Sequence, residues 1–519
     1  MTRVQRIPAA DVIAAVTDPD SFTPWSPADL GVAPQTSDSD DYSRELDAAR
    51  KKSGRDESVQ AGKATVEGNE VVLLIGDFDF LAGSAGRSAC QLLIAAMKRA
   101  IDESLPVFAS PTSGGTRMQE GTPAFVLMAD VAHAVTRVRT AGLMFVVWLR
   151  HPTTGGVMAT WGSLGTVTFG QPQALAGFLG PRVFEVLEGE PFPEGVQQTD
   201  NLANRGVIDG VVPLVDLRRV VSRLVDVTSR RVDDSAIAEA PLGNEPRTHG
   251  LPDASDPEGV AEPAWQNVLA TRRLERPGAR ELMASALTQA VTLSGTGEGK
   301  RSAAISVKIG RWSGRSVVVV AQDRAAQAGG QLIDPAALQT ARRGLRIAAE
   351  LGLPLVTIID TPGAELSVDA EESGLAGQIA RCLAELTDLP VPTISVLLGM
   401  GCGGAAIALL PADLVIAADN SWVSPLPLEG ASVIRYRTAD RAPEMADQQR
   451  ITAALMAADG IVDIVVPESK ATQGGDPARY STLVADVGET VARSVAALAE
   501  EGRAERLQRR HIRYGGGMG

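Results

Sequence analysis

The polar and apolar pattern changes character at Val71. Residues 1–60 are mostly polar, and the stretch SDSDDYSRELDAARKKSGRDES (37–58) reads as a solvated extension or an exposed helix. From Val71, VVLLIGDFDFLAG predicts a buried strand running into a glycine-rich loop. SACQLLIAAMKRAIDE (88–103) places Leu92, Leu93, Ala96 and Ala100 at helical spacing. LPVFAS predicts a strand, SGGTRMQEG a loop, and the residues through Val126, Val131 and Val135 a long helix. GLMFVVWL (142–149) is the continuous apolar run expected of a strand covered on both faces. Residues 229–262 lose all periodicity and are rich in Pro, Gly, Asp and Glu, which predicts a linker. Beyond them the same grammar returns. SVVVVAQ is a strand, 336–352 an amphipathic helix, LPLVTIID a strand, 370–386 a helix and TISVLLG a strand. The pattern predicts an α/β chain: an extension (1–60), a first domain (61–228), the linker (229–262) and a second domain (263–519).

Within that pattern one piece of grammar is written twice. LPVFASPTSGG runs from Leu105 to Gly115, and the next strand ends in PTTGG, closing at Gly156. LPLVTIIDTPG runs from Leu353 to Gly363, and the next strand ends in GMGCGG, closing at Gly404. The two glycine landmarks are 41 residues apart in each copy, and the copies are offset by 248. Any α/β protein repeats strand–helix–strand units, but equal spacing between glycine landmarks argues for structural duplication.

Glycine after a strand permits positive φ and close approach of backbone to a ligand. A following helix presents first-turn N–H groups with no intrahelical acceptor, and its dipole favours negative charge. Gly114, Gly115, Gly155 and Gly156 would form one oxyanion corner. Gly363, Gly403, Gly404 and Ala405, with Ala364 beside them, would form the other. Taken singly, each glycine is as well explained by a tight turn; the matched sets favour donors. Which N–H of each set donates is left open.

Composition narrows the class. A chain of 519 residues with 44% hydrophobic content suggests two or three globular domains. A net charge of −14 gives no footprint of nucleic-acid binding. The three cysteines, Cys90, Cys382 and Cys402, have no metal-site or disulfide-framework spacing, which fits a cytoplasmic protein without a metal. No signal-peptide core or membrane-length apolar run is present in the sequence. The four histidines occupy no HExxH or GxSxG context, which weakens metallohydrolase and Ser-His-Asp readings. GTGEGKRS (295–302) fails the P-loop pattern, because Ser294 stands where its first glycine should be and Arg301 follows the lysine.

Over residues 76–212, FLAGSAGR (80–87), SGGTRMQEG (113–121), PTTGGV (152–157), AGFLGPRV (176–183) and FPEG (192–195) resemble the β subunit of bacterial acetyl-CoA carboxylase carboxyltransferase. Over residues 310–468, AQDR (321–324), IDTPGAELSVDAEESG (359–374), GMGCGGAAIAL (399–409), SPLPLEGASVI (424–434) and GIVDIVVPE (460–468) resemble its α subunit. The resemblance covers well over half the chain, in the order of a fused β–α carboxyltransferase. It implies two crotonase-like domains in tandem, each with a ββα-superhelix core. It also implies transfer of CO₂ from N1′-carboxybiotin, carried on a separate protein, to the α-carbon of acetyl-CoA, giving malonyl-CoA for fatty acid biosynthesis. Two oxyanions develop in that chemistry, one on biotin and one on the thioester. The resemblance assigns the first corner to the thioester and the second to biotin. No protein base is required, because the ureido group can take the α-proton when both partners are held close.

The resemblance further implies a biotin carboxylase and a biotin carrier as partners, and at least a homodimer, with larger assemblies of dimers in the family. Gly83, Gly86, Arg87 and Arg117 are the expected binding residues near the CoA ester, with Lys98 and Arg99 as weaker candidates for its phosphates; an exposed or salt-bridged surface charge is the other reading of each cation. Glu120 and the Glu371–Glu372 pair are expected as helix N-terminal carboxylates. RAERLQRRHIR (503–513) is either a partner-binding run or a solvated helix end. Many β subunits begin with a four-cysteine zinc ribbon. Here no cysteine precedes Cys90, so metal dependence is not carried over. Alternatives are a propionyl- or longer-chain acyl-CoA carboxyltransferase, with Ile407 behind the second Gly-Gly at the chain-length position, or a biotin-dependent decarboxylase or transcarboxylase. A non-catalytic scaffold that binds CoA esters is the alternative of another class.

Overall fold

The continuous apolar runs become central parallel strands, as their composition requires. The computed structural model of the protein describes residues 4–33, 40–178, 185, 189–228, 264–468 and 477–515. The expected linker (229–262), residues 37–39 of the polar stretch and residues 179–183 of AGFLGPRV lie outside the described residues. The chain divides into two units, Met1–Arg230 with Leu293–Lys300, and Arg231–Thr292 with Arg301–Gly519.

The first unit holds β1 (Thr23–Trp25), β2 (Val59–Val66), β3 (Asn69–Gly76), β4 (Val107–Ser110), β5 (Phe145–Leu149), β6 (Thr153–Thr154), β7 (Val167–Gly170), β8 (Ala176–Gly177) and β9 (Gly210–Val211). Seven of them make one sheet in the order β1-β2-β3-β4-β5-β7-β9, and β6 pairs with β8. β1, β2 and β3 are antiparallel, whereas β3 to β9 run parallel. The helix Arg87–Asp102 buries Leu92, Leu93, Ala96 and Ala100, the face read from the sequence. The first sixty residues contribute to this unit. Trp25 pairs with Ala61, and the helix Asp40–Ser53 buries Tyr42, Leu46 and Ala49. The Gly-rich run at 295–299 also belongs to it: the N–H groups of Gly297 and Gly299 both donate to Gly206 O, capping the helix Thr199–Arg205.

The second unit holds β10 (Leu287–Leu293), β11 (Ile305–Trp312), β12 (Arg315–Gln322), β13 (Leu355–Thr361), β14 (Thr393–Cys402), β15 (Leu414–Ala418), β16 (Trp422–Ser424) and β17 (Ile464–Val466). The order is β10-β11-β12-β13-β14-β15-β17, with β16 beside β14. β13 is buried at every residue. The helix before it starts where Asp334 accepts from Ala337 N–H and Pro335 occupies the first turn, and it ends at Gly352 in the left-handed region. The single helix expected over 370–386 is two, Val368–Glu372 and Leu375–Thr387. Gly374 divides them at φ +81°, a conformation no helix interior holds.

The duplication is visible in strand register. Val107 pairs with Phe145 and Ala109 with Val147; Leu355 pairs with Thr393 and Thr357 with Ser395. All four residues of one unit map onto the other with the same offset of 248. The offset slips on either flank, where Val72 answers to Val318 and Val167 to Leu414. The echo is therefore tightest across the two strands that feed the glycine corners.

Candidate active site

Each corner is built from a hydroxyl turn and a short helix. In the first, Ser113 Oγ accepts from Gly115 N–H at 2.9 Å, and Gly115 sits at φ +121°. In the second, Thr361 Oγ1 accepts from Gly363 N–H at 3.1 Å, and Gly363 sits at φ +136°. Hydroxyl turns of this kind tighten the backbone two residues on. The partner loops match as closely. Gly155 and Gly403 both adopt φ +64°, and each opens a helix, Gly155–Val157 and Gly403–Ile407. Ser113 bridges to Thr153 and Thr361 to Gly401, so the turns meet the strand ends in the same register.

The hydrogen bonds show which of the glycine N–H groups are already engaged within the protein. Gly114 N–H donates to Ala82 O, Gly115 N–H to Ser113 Oγ, Gly155 N–H to Phe178 O and Gly363 N–H to Thr361 Oγ1. Those four N–H groups are satisfied inside the protein. Gly156 and Val157 in the first corner, and Gly404 and Ala405 in the second, lie in first helical turns, where N–H groups have no intrahelical acceptor. Gly156 and Gly404 are both partly accessible. The missing side chains also matter. A Cβ on Gly155 would lie 2.9 Å from Gly115 Cα, and one on Gly404 would lie 2.6 Å from Ile379 Cδ1. Ala364 is partly accessible and bridges to Ile333, next to the second turn.

The charged residues read differently in the fold. Arg117 does not offer its guanidinium to a phosphate. It is fully buried, bound to Glu57 at 2.5 and 3.1 Å, to Ser84 O at 2.7 Å, and to Tyr42 Oη at 3.3 Å. Glu120 stands before the helix Gly121–Thr140, yet its carboxylate caps a different helix: Oε2 accepts from Arg87 N–H at 2.6 Å, and Oε1 accepts from Tyr42 Oη at 2.5 Å. Gly86 is required by this cluster, since a Cβ there would lie 2.3 Å from Glu120 Oε1; one on Gly83 would lie 2.2 Å from Thr112 O. Both glycines are structural in this sense. The Arg87 side chain is exposed. Lys98 pairs with Asp102 and Arg99 with Glu103, so each is a surface ion pair. Glu371 lies in the first turn of Val368–Glu372, where it favours the dipole, whereas Glu372 ends that helix. The Arg-rich end is a helix with one buried edge: Arg510 is buried against Asp413 and Arg513 pairs with Asp463, whereas Arg503 and Arg509 are exposed.

No protein base presents itself at either corner among the described residues. His151 Nδ1 accepts from Leu175 N–H at 3.1 Å, and burial holds its pKa below the usual histidine value. Burial pushes the Cys402 thiol up to about 11, so it stays protonated. Among the described residues no group of three His, Cys, Asp or Glu side chains could hold a metal ion, and no helix is long and apolar enough to cross a membrane.

A family model for the carboxyl transferase domain matches residues 32–474. The chain belongs to the carboxyl transferase family. It is a carboxyl-transferring enzyme of the biotin-dependent acyl-CoA carboxylase group. It is 46% identical over 512 residues to a protein of Mycobacterium tuberculosis named as a biotin-dependent acyl-coenzyme A carboxylase beta3 subunit, covering 98% of each chain. It is 35% identical over 488 residues to the acetyl-coenzyme A carboxylase carboxyl transferase subunits beta/alpha of Saccharopolyspora erythraea, covering 92% of this chain and 83% of that one. Among solved structures, it matches transcarboxylase 12S with a TM-score of 0.73 at 20% identity, over 96% of this chain and 91% of the other. A single-chain long-chain acyl-CoA carboxylase matches with a TM-score of 0.66 at 19% identity, over 92% of this chain and 46% of the other. The fold of this carboxyltransferase is therefore two tandem crotonase-like domains.

Proposed function

We propose that this carboxyltransferase moves the carboxyl group of N1′-carboxybiotin, held on a separate carrier protein, to the α-carbon of acetyl-CoA, forming malonyl-CoA. The observation that carries the reading is the pair of corners with matching backbone geometry, one per unit, each offering first-turn N–H groups beside glycines. Gly156 and Val157 would hold the thioester oxygen as negative charge grows on it, and Gly404 and Ala405 the ureido oxygen of biotin. Such donors are worth about 2.7–4 kcal/mol each in a preorganised site. Carboxybiotin supplies the carboxyl group when bound. The chain supplies position and charge stabilisation.

Acetyl-CoA is the favoured acceptor because the fused β/α relative bears that name. Ile407, 45% exposed at the end of the helix Gly403–Ile407, is the chain-length candidate. A biotin carboxylase and a biotin carrier are the partners this reaction needs. A homodimer at least is supported by exposed apolar side chains near the corners: Met118, Phe125 and Phe178 in the first unit, Leu366 and Val368 in the second. Three buried free thiols support a cytoplasmic setting.

The test is a panel of acetyl-, propionyl-, butyryl- and long-chain acyl-CoA with charged biotin carrier. The highest kcat/KM is expected with acetyl-CoA, with malonyl-CoA as product. Preference for a longer chain overturns the substrate. CO₂ release without a carboxylated product makes the protein a decarboxylase, and CoA-ester binding without transfer makes it a scaffold.

A further inference from the structure

We propose that Thr112 and Asp360 are matched positioning residues, each latching the turn of its corner to the strand end that leads into the donor helix. Thr112 precedes the Ser113 turn, and Asp360 precedes the Thr361 turn. Thr112 Oγ1 donates to Pro152 O at 3.2 Å. Asp360 Oδ1 accepts from Met400 N–H at 3.0 Å. Pro152 and Met400 each stand three residues before the positive-φ glycine, Gly155 or Gly403. Both latching residues and both gripped residues are separated by the same 248. The polarity of the bond is reversed, and the chemistry says why. Proline has no N–H, so the side chain facing it must donate to its carbonyl, as a threonine does. Met400 has an N–H, and an ionised carboxylate is the stronger acceptor for it. Sequence comparison hides this equivalence, because threonine and aspartate share no pattern.

Two observations set Asp360 apart from a filler of the strand. It is fully buried, and its nearest cation atom, Arg324 Nη1, is 3.4 Å away. Burial pushes its carboxyl above the usual aspartate range against the pull of Arg324 and the Met400 N–H. Removing a carboxylate from water is costly, and a hydrophobic residue would be the cheaper core choice. Gly399 is also shaped to the latch: a Cβ there would meet the Asp360 carboxylate at 2.6–2.9 Å. Thr112, 3% exposed, is similarly enclosed.

The inference rests on the thioester and biotin assignments of the two corners, and the experiment separates the two levels. In the full-length protein, Thr112→Val and Asp360→Ala remove the latches, whereas Thr112→Ser and Asp360→Asn keep a hydroxyl and an acceptor oxygen. Two readouts are used: the infrared carbonyl stretch of bound ¹³C-thioester-labelled acetyl-CoA, and CO₂ release from free carboxybiotin without acyl-CoA. Thr112→Val should lose the low-frequency shift of the thioester carbonyl and leave CO₂ release unchanged. Asp360→Ala should slow CO₂ release about ten- to a hundredfold and leave the carbonyl shift intact. Serine and asparagine should restore most of each signal. Loss of both signals in either variant, or conservative variants no better than Val and Ala, assigns these residues to general stability and overturns the proposal. Unchanged signals in both disruptive variants overturn it too. A wild-type protein that neither shifts the carbonyl nor releases CO₂ removes the functional reading, and the latches fall with it.

Discussion

The two corners share a backbone shape and differ in what stands behind it. In the first, glycine packs on glycine: the Cβ that Gly155 lacks would lie 2.9 Å from Gly115 Cα. In the second, a Cβ on Gly403 would meet only Pro425 O at 3.5 Å, and two glutamine side chains join the loops. Gln322 donates to Ala405 O at 2.7 Å and accepts from Asp360 N–H at 3.1 Å. Gln327 donates to Asp360 O at 3.0 Å and accepts from Thr361 Oγ1 at 2.6 Å. Threonine hydroxyls tie the first corner as well, Thr112 to Pro152 O and Thr154 to Ser113 O, but only there does backbone also pack on backbone, so the two should fail differently.

The sharpest way to break the comparison is Gly155→Ala beside Gly403→Ala. Both place alanine at φ +64°, a strain of about 1–2 kcal/mol. Only the first adds a backbone collision, because Gly115 cannot rotate aside as a side chain would. Gly155→Ala should reduce turnover at least a hundredfold, with a clear fall in Tm. Gly403→Ala should lose about tenfold, with a smaller fall, as its space is open. Steady-state carboxyl transfer and thermal melts check both. Equal losses would mean that backbone contact is not what holds the first corner.

The repeat was legible in the sequence because the span from turn to donor helix fixes how many residues fit between two glycines. The β4–β5 and β13–β14 registers follow it residue for residue. The α/β class was legible from the continuous apolar runs. Arg117 was not, because an arginine in a glycine-rich loop has the same spelling whether it faces a phosphate or a buried Glu57 sixty residues upstream. The donors were not either, since composition does not show that Ser113 and Thr361 capture the N–H groups of Gly115 and Gly363. A usable signal was present in the N-terminal region: Tyr42, Leu46 and Ala49 stand at i, i+4 and i+7, the stripe of a helix with one buried face. High charge around them masked it.

A second contrast lies in the buried arginines beside the corner strands. Arg150, at the end of β5, reaches Ser110 Oγ at 2.9 Å and the carbonyls of Ile7, Gly76 and Ser110, all of them neutral acceptors. Arg276 reaches Leu398 O at 3.0 Å and forms a two-pronged pair with Glu468 at 2.6 Å, both side chains 1% exposed. Glu468→Gln would leave the buried Arg276 charge without its paired carboxylate, a cost of about 3–5 kcal/mol. The pair holds the Glu468 carboxyl below its ordinary value of 4.5, against the opposing effect of burial. A depressed carboxyl contributes its stability above the unfolded value and loses it as pH falls through the folded one. The Tm gap between wild type and Glu468→Gln should therefore be full at pH 7 and close progressively below about pH 4.5. A gap independent of pH would show that packing, not charge, links the two residues.

The smallest expected effect tests whether the N-terminal helix serves the first corner or only covers it. Tyr42 Oη donates to Glu120 Oε1, while Oε2 of the same carboxylate caps Arg87 N–H at the start of the helix after FLAGSAGR. Tyr42→Phe removes the bond to Glu120 and the longer one accepted from Arg117 Nη1, together worth about 1–2 kcal/mol, and keeps the ring. Glu120 retains the Arg87 N–H, with Arg117 Nη1 3.4 Å away, so its carboxylate should stay in place. Tm should fall by a few degrees at most, and KM for acyl-CoA should stay within about twofold, because the turn beside the donor helix is held by Ser113 and not by this cluster. A tenfold rise in KM with Tm unchanged would make the Tyr42–Glu120 bond part of the acyl-CoA site. The side chains that support the first corner would then extend as far as the N-terminal helix.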